Sequence, residues 1–255
     1  MANAQNKAVF RATSVSLFLA KIEELKKIEV ESGNDADFIF RGQRTRDPLI
    51  PRIARLKPKG KMVEVERLMM EEFERQILPF VDHEPHGPWD LLALAQHHHL
   101  PTRLLDWTYS ALAALWFCVE QSPVIDKSGF NDGVVWIFKT TKEDFVDFQT
   151  DENPYSPSRT RIFRPRFISR RIMAQSGLFT CHKRTKEGSF VPLEKNKNYK
   201  QRLVMIDIAG DKFSCMKEQL WTSGITNLAL FPDLDGLTGN LEMRYFHSPK
   251  SVQNR

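Results

Sequence analysis

The chain reads as a mixed α+β single domain, and three observations carry that reading. Apolar residues recur at helical spacing through the first half, and apolar β-branched and aromatic runs of strand length concentrate in the second. No internal repeat and no Gly/Ser- or Pro-rich linker divides the 255 residues. Helices first and strands later argue against an alternating parallel sheet. A chain of this length buries about three quarters of its extended surface, enough for one large core.

Val15, Phe18, Leu19, Ile22 and Leu25 predict an amphipathic helix over 15–29, with Thr13 or Ser14 as N-cap and Gly33 as the stop. Asp37 to Arg41 predicts a short strand running into a turn at Gly42. Val65, Leu68, Met69, Phe73, Ile77 and Leu78 mark a second helix over 62–78, ended by Pro79. A third runs over 88–98, with Pro88 in its first turn, where the missing N–H costs little. A fourth, over 109–120, is apolar nearly all round and so buried. Gly133 to Lys139 (GVVWIFK) is the clearest strand, followed by a helix over 167–176 closed by Gly177 and a strand over 178–182. Leu203 to Ile208 predicts another buried strand, 211–221 a helix, 228–237 a turn segment, and the stretch up to Tyr245 a final helix.

Charge is uneven. The net +5 hides 13 Lys and Arg against only Glu187 and Glu194 between Arg159 and Arg202, a local +11 with −6 elsewhere. Such a segment is either a solvated loop or a surface for an anionic partner, nucleic acid included. The longest apolar run, Ala111 to Val119, is too short to span a bilayer. The first residues lack the apolar stretch of a secretory signal. Cys118, Cys181 and Cys215 are odd in number and widely spaced, which favours free thiols and a reducing, cytoplasmic setting over a disulfide scaffold.

Three stretches place polar residues where the periodicity predicts burial. Arg41, at the end of an apolar strand, is either a bidentate donor at the sheet rim or the cation of an internal bridge. His97, His98 and His99 are consecutive and cannot converge on one metal ion, because helical neighbours lie three or four residues apart. His98 falls on the face of Leu91, Leu94 and Ala95, as a core histidine would. Asp106 either caps the following helix or partners Arg103 or Arg41. Gln175 sits at a helix–strand boundary, and Asp233 and Asp235 fit turn and helix-start chemistry. Clustered carboxylates with metal-ligand spacing, which a metal nuclease needs, are not found.

These segments occur in one order: Phe40-Arg41-Gly42, Pro48 to Pro51, Gln96-His97-His98 running into Leu100 to Thr108, Ala114 to Phe117, Ala174-Gln175 with Gly177 and Phe179, and Leu230 to Leu237. In that order the chain resembles the FRG domain family, named for its Phe-Arg-Gly signature, over about residues 38–240. His99 stands where the family usually has Gly. The resemblance implies an N-terminal helical extension over 1–35, the FRG domain over 36–245 and a tail over 246–255. It also implies a distant likeness to the ADP-ribosyltransferase-like fold, a split mixed sheet with flanking helices that grips NAD. Its further implications are an NAD-consuming enzyme, a transferase or glycohydrolase, and a bacterial or phage setting of defence or toxin action. On that basis Arg41, His97 and Asp106 are the expected catalytic residues. Arg41, Gln43, Arg103 and Gln175 are the expected NAD-binding residues, and no metal site is expected. Arg103 is expected to join Arg41 in clamping the pyrophosphate. The fold usually supplies a carboxylate that orients the nicotinamide ribose, and Asp106, then Asp233 and Asp235, are the residues expected to take that role. The alternative is a non-catalytic module binding a nucleotide or nucleic acid through 159–202.

Overall fold

The computed structural model describes residues 8–34, 36–81, 84–166 and 170–247. Among these, seven strands form one mixed, mostly antiparallel sheet. They are β1 (Phe10–Ala12), β2 (Asp37–Gln43), β3 (Leu104–Thr108), β6 (Gly133–Thr140), β7 (Arg161–Phe163), β8 (Gly177–Cys181) and β9 (Leu203–Ile208), in the order β1-β9-β6-β2-β3-β8-β7. Only β1 and β9 run parallel. The short strands β4 (Ile125–Asp126) and β5 (Gly129–Phe130) make a separate hairpin. The helices are α1 (Val15–Glu31), α2 (Met62–Gln76), α3 (Pro88–His97), α4 (Ala111–Val119), α5 (Arg170–Ala174), α6 (Phe213–Thr222), α7 (Asn227–Leu230) and α8 (Leu234–Glu242), the last continuing as a π turn over Met243–His247.

The expected α+β class and most helices are present. Ser14 caps α1 by accepting from the Leu17 amide, and Gly33 follows it at φ 71°. The segment read as an N-terminal extension contributes to the same body: β1 extends the sheet, and Phe18 and Ile22 of α1 enter the core. Three strands carry no clear signal in the sequence. β1 and β7 are three residues long, and β3 contains adjacent leucines and an Asp, a residue depleted in strands. Asp106 therefore does not cap a helix; it lies in β3, and Ser110 caps α4 instead. Gly42 is no turn either. It lies inside β2, and a Cβ there would meet the Ala114 carbonyl oxygen of α4 at 1.7 Å. The glycine lets α4 rest its backbone directly on the strand. The predicted helix over 167–176 is described only from Arg170, and its left-handed terminal residue is Ser176 (φ 47°), with Gly177 already in β8.

Side-chain alternation divides the core. On one face, Phe38, Phe40, Val135, Ile137 and Ile206 pack under α1, α4 and α6. On the same face but across β3-β8-β7, Leu104, Phe163, Phe179 and Cys181 pack under α2 and α3. The opposite face carries Ile39, Leu105, Trp107, Trp136 and Phe138. The two same-face clusters meet where β2 adjoins β3. There, among the described residues, the only ladder pair is Phe40 with Thr108, whereas β2 and β6 share seven pairs.

Candidate functional site

That weakly laced seam opens into a cavity of about 470 Å³. β2 supplies Arg41 and Gln43, the loop after it Arg44 and Asp47, and the short 3-10 turn Arg52–Arg55 supplies Arg55. The end of α3 brings Gln96 and His97, β3 brings Asp106, and α5 with its following turn brings Arg171 and Gln175. Five of the six expected site residues, Arg41, Gln43, His97, Asp106 and Gln175, thus line one space.

Arg41 bridges the seam. Its Nη1 donates to the Asp106 carbonyl oxygen at 2.8 Å and stands 3.8 Å from the carboxylate. Burial pulls the Arg41 pKa down, and Asp106 opposes that pull; a guanidinium stays charged regardless. Gln43 is buried, and its side-chain oxygen has no protein partner.

The Asp106 side chain remains 59% exposed, and Gln96 Nε2 donates to both its oxygens at 3.1 and 3.2 Å. Gln175 spans two elements: its Nε2 donates to the Leu230 carbonyl at 3.1 Å, and its carbonyl accepts from the Thr108 hydroxyl at 2.6 Å. His97 is half-buried at the end of α3. Burial lowers its pKa first, then the nearby His98, Arg171 and His99, against a smaller opposing pull from Asp233. Asp233 itself caps α8 by accepting from the Gly236 amide, the helix-start role expected of it.

Arg103 departs from expectation. It lies outside the cavity, fully buried, with Nε donating to Glu66 at 2.7 Å, Nη2 to the second Glu66 oxygen and Nη1 to the Pro154 carbonyl at 3.1 Å. Arg184 approaches the same carboxylate at 3.1 Å. Arg103 precedes β3 at a bend, and its side chain is taken up by Glu66 and the Pro154 carbonyl, away from the cavity that Asp106 lines. The clamp role assigned to Arg103 has no geometry here.

Other cations take that place. Arg44 and Arg55 are exposed at the cavity and have no carboxylate partner among the described residues, and Arg171 lies 4.2 Å over the Phe231 ring. Four arginines thus share the cavity lining with Asp47 and Asp106, and Phe40, Trp107, Phe117 and Phe179 add aromatic surface to it. Sequence reasoning missed Arg44, Arg55 and Arg171 because no periodicity links three segments that only the fold assembles. Gln96 carried a signal, as the Gln of the Gln-His-His block, but no assigned role.

The basic stretch 159–202 is mostly engaged internally: Arg161 pairs with Asp151, Arg202 with Asp144, Arg184 with Glu66, and Arg164 lies 3.9 Å over the Phe145 ring. Arg171 is its contribution to the cavity, while Lys195, Lys197 and Lys200 are exposed. Among the described residues no group of three or more His, Cys, Asp or Glu is placed to hold a metal ion. No helix there is long and apolar enough to cross a membrane.

The His99 position resolves into a helix ending. His99 has φ 62°, its amide bonds to the Gln96 carbonyl, and the Leu100 amide bonds to the Ala95 carbonyl. These paired bonds around a left-handed residue are a Schellman ending, the position where glycine is commonest.

Fold and cavity together define an α+β domain with an arginine-rich, partly aromatic cavity at a sheet seam. Residues 36–127 match the model of the FRG domain family. The match covers Arg41, Gln96, His97 and Asp106; Arg171 and Gln175 lie beyond it. No curated protein and no solved structure matches the chain.

Proposed function

We propose that the protein is an NAD-consuming enzyme of ADP-ribosyltransferase or NAD glycohydrolase type, with NAD as substrate in the seam cavity. The observation that carries this reading is a carboxylate, Asp106, held beside Arg41 in one space that three further arginines and several aromatic residues also line. A dinucleotide presents a diphosphate for guanidinium groups and aromatic rings for walls such as Phe117 and Phe179.

In hydrolysis, the bond between ribose C1′ and the nicotinamide nitrogen breaks. Its electron pair leaves with nicotinamide, neutralising the ring's positive charge. Water then adds to C1′ and releases a proton, giving ADP-ribose. In transfer, a nucleophilic acceptor replaces the water. The transition state resembles an oxocarbenium ion, and a preset negative charge lowers its energy. Asp106 supplies that charge. Arg41, with Arg44 and Arg55, holds the phosphates, and His97 and Gln43 offer partners to ribose hydroxyls. The ADP-ribosyltransferase-like likeness and the defence or toxin setting remain parts of this proposal that rest on the family resemblance.

The test is direct. Purified protein incubated with NAD should release nicotinamide, measured by chromatography, and Arg41→Ala should lower the rate at least about 100-fold, or ~2.7 kcal/mol of barrier. Folded wild-type protein that releases none, yet binds RNA or DNA with a steep salt dependence, would favour the non-catalytic module.

A further inference from the structure

Asp106 is held by a relay that starts on its own strand, at Leu104, and returns to it through the end of α3. The Leu104 amide donates to Thr102 Oγ1 at 3.1 Å. With that lone pair used, the Thr102 hydroxyl donates its hydrogen to Gln96 Oε1 at 2.6 Å. An amide whose oxygen is engaged must turn its NH2 the other way. Nε2 then faces Asp106 and lies nearly equidistant from both carboxylate oxygens, at 3.1 and 3.2 Å. Thr102 is fully buried, so the relay is sealed from competing water at its far end. On the near side Arg41 holds the Asp106 carbonyl. Side chain and backbone of one residue are thus fixed from opposite flanks of the seam.

We propose that Gln96 is the positioning residue for Asp106, and that Thr102 selects the Gln96 amide orientation that makes it one. This rests on the NAD reading for its consequence in turnover but not for its structural content. Gln96 acts through Asp106, so its loss should spare substrate binding and cost the chemical step; misplacement by about 1 Å is worth up to about 100-fold. The Thr102-Gln96 pair works as a unit, so removing both should cost little more than removing either.

The experiment compares Gln96→Ala, Thr102→Val, their combination and Thr102→Ser in nicotinamide release from NAD. The expected result is a kcat about 10- to 100-fold lower for the first three, with KM within about 2-fold of wild type. Thr102→Ser keeps the hydroxyl and should restore most of the rate. Additive losses, or a KM effect with kcat intact, would overturn the proposal. Thr102→Val also leaves the Leu104 amide without its acceptor, so each variant's melting temperature is recorded. Lowered melting with undiminished kcat in the folded protein would reduce the relay to a structural role. Should wild-type protein prove inactive on NAD, that failure belongs to the functional reading. The relay is then judged by the Gln96 side-chain amide resonances. Their shift on Thr102→Val and recovery in Thr102→Ser would support it, and unchanged spectra would sink it.

Discussion

Arg41 and Arg103 belong to the two strongest motifs of the chain, yet they sit in opposite physical situations. Arg103 is fully buried and grips both oxygens of Glu66, itself almost fully buried. Arg41 donates to a backbone carbonyl and stands 3.8 Å from a carboxylate that is largely exposed to the cavity. One guanidinium is satisfied by its own protein, and the other retains a buried Nε without a protein partner. The difference separates an arginine that organises a core from one available to a ligand. Residue type and motif membership do not make that distinction; the local partner does.

The largest effect should come from breaking the buried side. Glu66→Gln leaves Arg103 and Arg184 without their countercharge, and uncompensated buried charge costs about 3–5 kcal/mol. At roughly 2–4 °C per kcal/mol for a chain of this size, calorimetry should show the melting temperature fall by about 10 °C. Ligand affinity of the folded fraction should be unchanged. A large affinity loss would show that the two arginines are not independent.

Next comes the strand that carries Arg41. Gly42→Ala drives a methyl into the α4 backbone at Ala114. Overpacking of this kind costs about 1–3 kcal/mol, here at the upper end because a backbone carbonyl cannot swing aside. Denaturant unfolding should register it. A neutral result would mean that α4 does not set the height of β2.

A third effect lies electrostatically between the two arginines. His182 is buried and has its pKa pushed down to about 3, by burial first and then by Arg41 and Arg103. An unfolded imidazole titrates near ~6.5, so the unfolded chain takes up the proton first. This stability contribution is complete above that pH and is lost as pH falls toward 3. The slope is about 1.4 kcal/mol per pH unit, or ~2 kcal/mol between pH 6.5 and 5. His182→Asn should flatten the slope in that window; identical slopes for variant and wild type would count against a neutral buried ring.

The smallest effect concerns the cavity rim. His99→Gly relieves a left-handed side-chain residue at the end of α3 and should stabilise by up to about 1 kcal/mol. Destabilisation would indicate that the imidazole makes a compensating contact.

Much of the helical framework was legible because long amphipathic faces such as Val15–Leu25 announce themselves, and β6 and β9 declare themselves as buried runs. The short strands did not. β3 hides an acidic residue, Asp106, on a strand that shares one ladder pair with β2 among the described residues. The site was legible where residues cluster in the chain, as in Arg41 with Gln43 or Gln96 with His97. It was illegible for Arg55 and Arg171, which reach the cavity from a 3-10 turn and a five-residue helix distant in sequence. The departure at His99 was visible in sequence, but the structure shows its meaning to be conformational. The Arg103 error has a plain source: a bidentate cation is equally suited to phosphate and to glutamate.

The unequal lacing of the sheet also has a mechanical meaning. Seven rungs join β2 to β6, five join β3 to β8, and one joins β2 to β3. Across the thinnest join, at Phe40 and Thr108, the Arg41 guanidinium ties the two parts of the sheet together by donating to the Asp106 carbonyl.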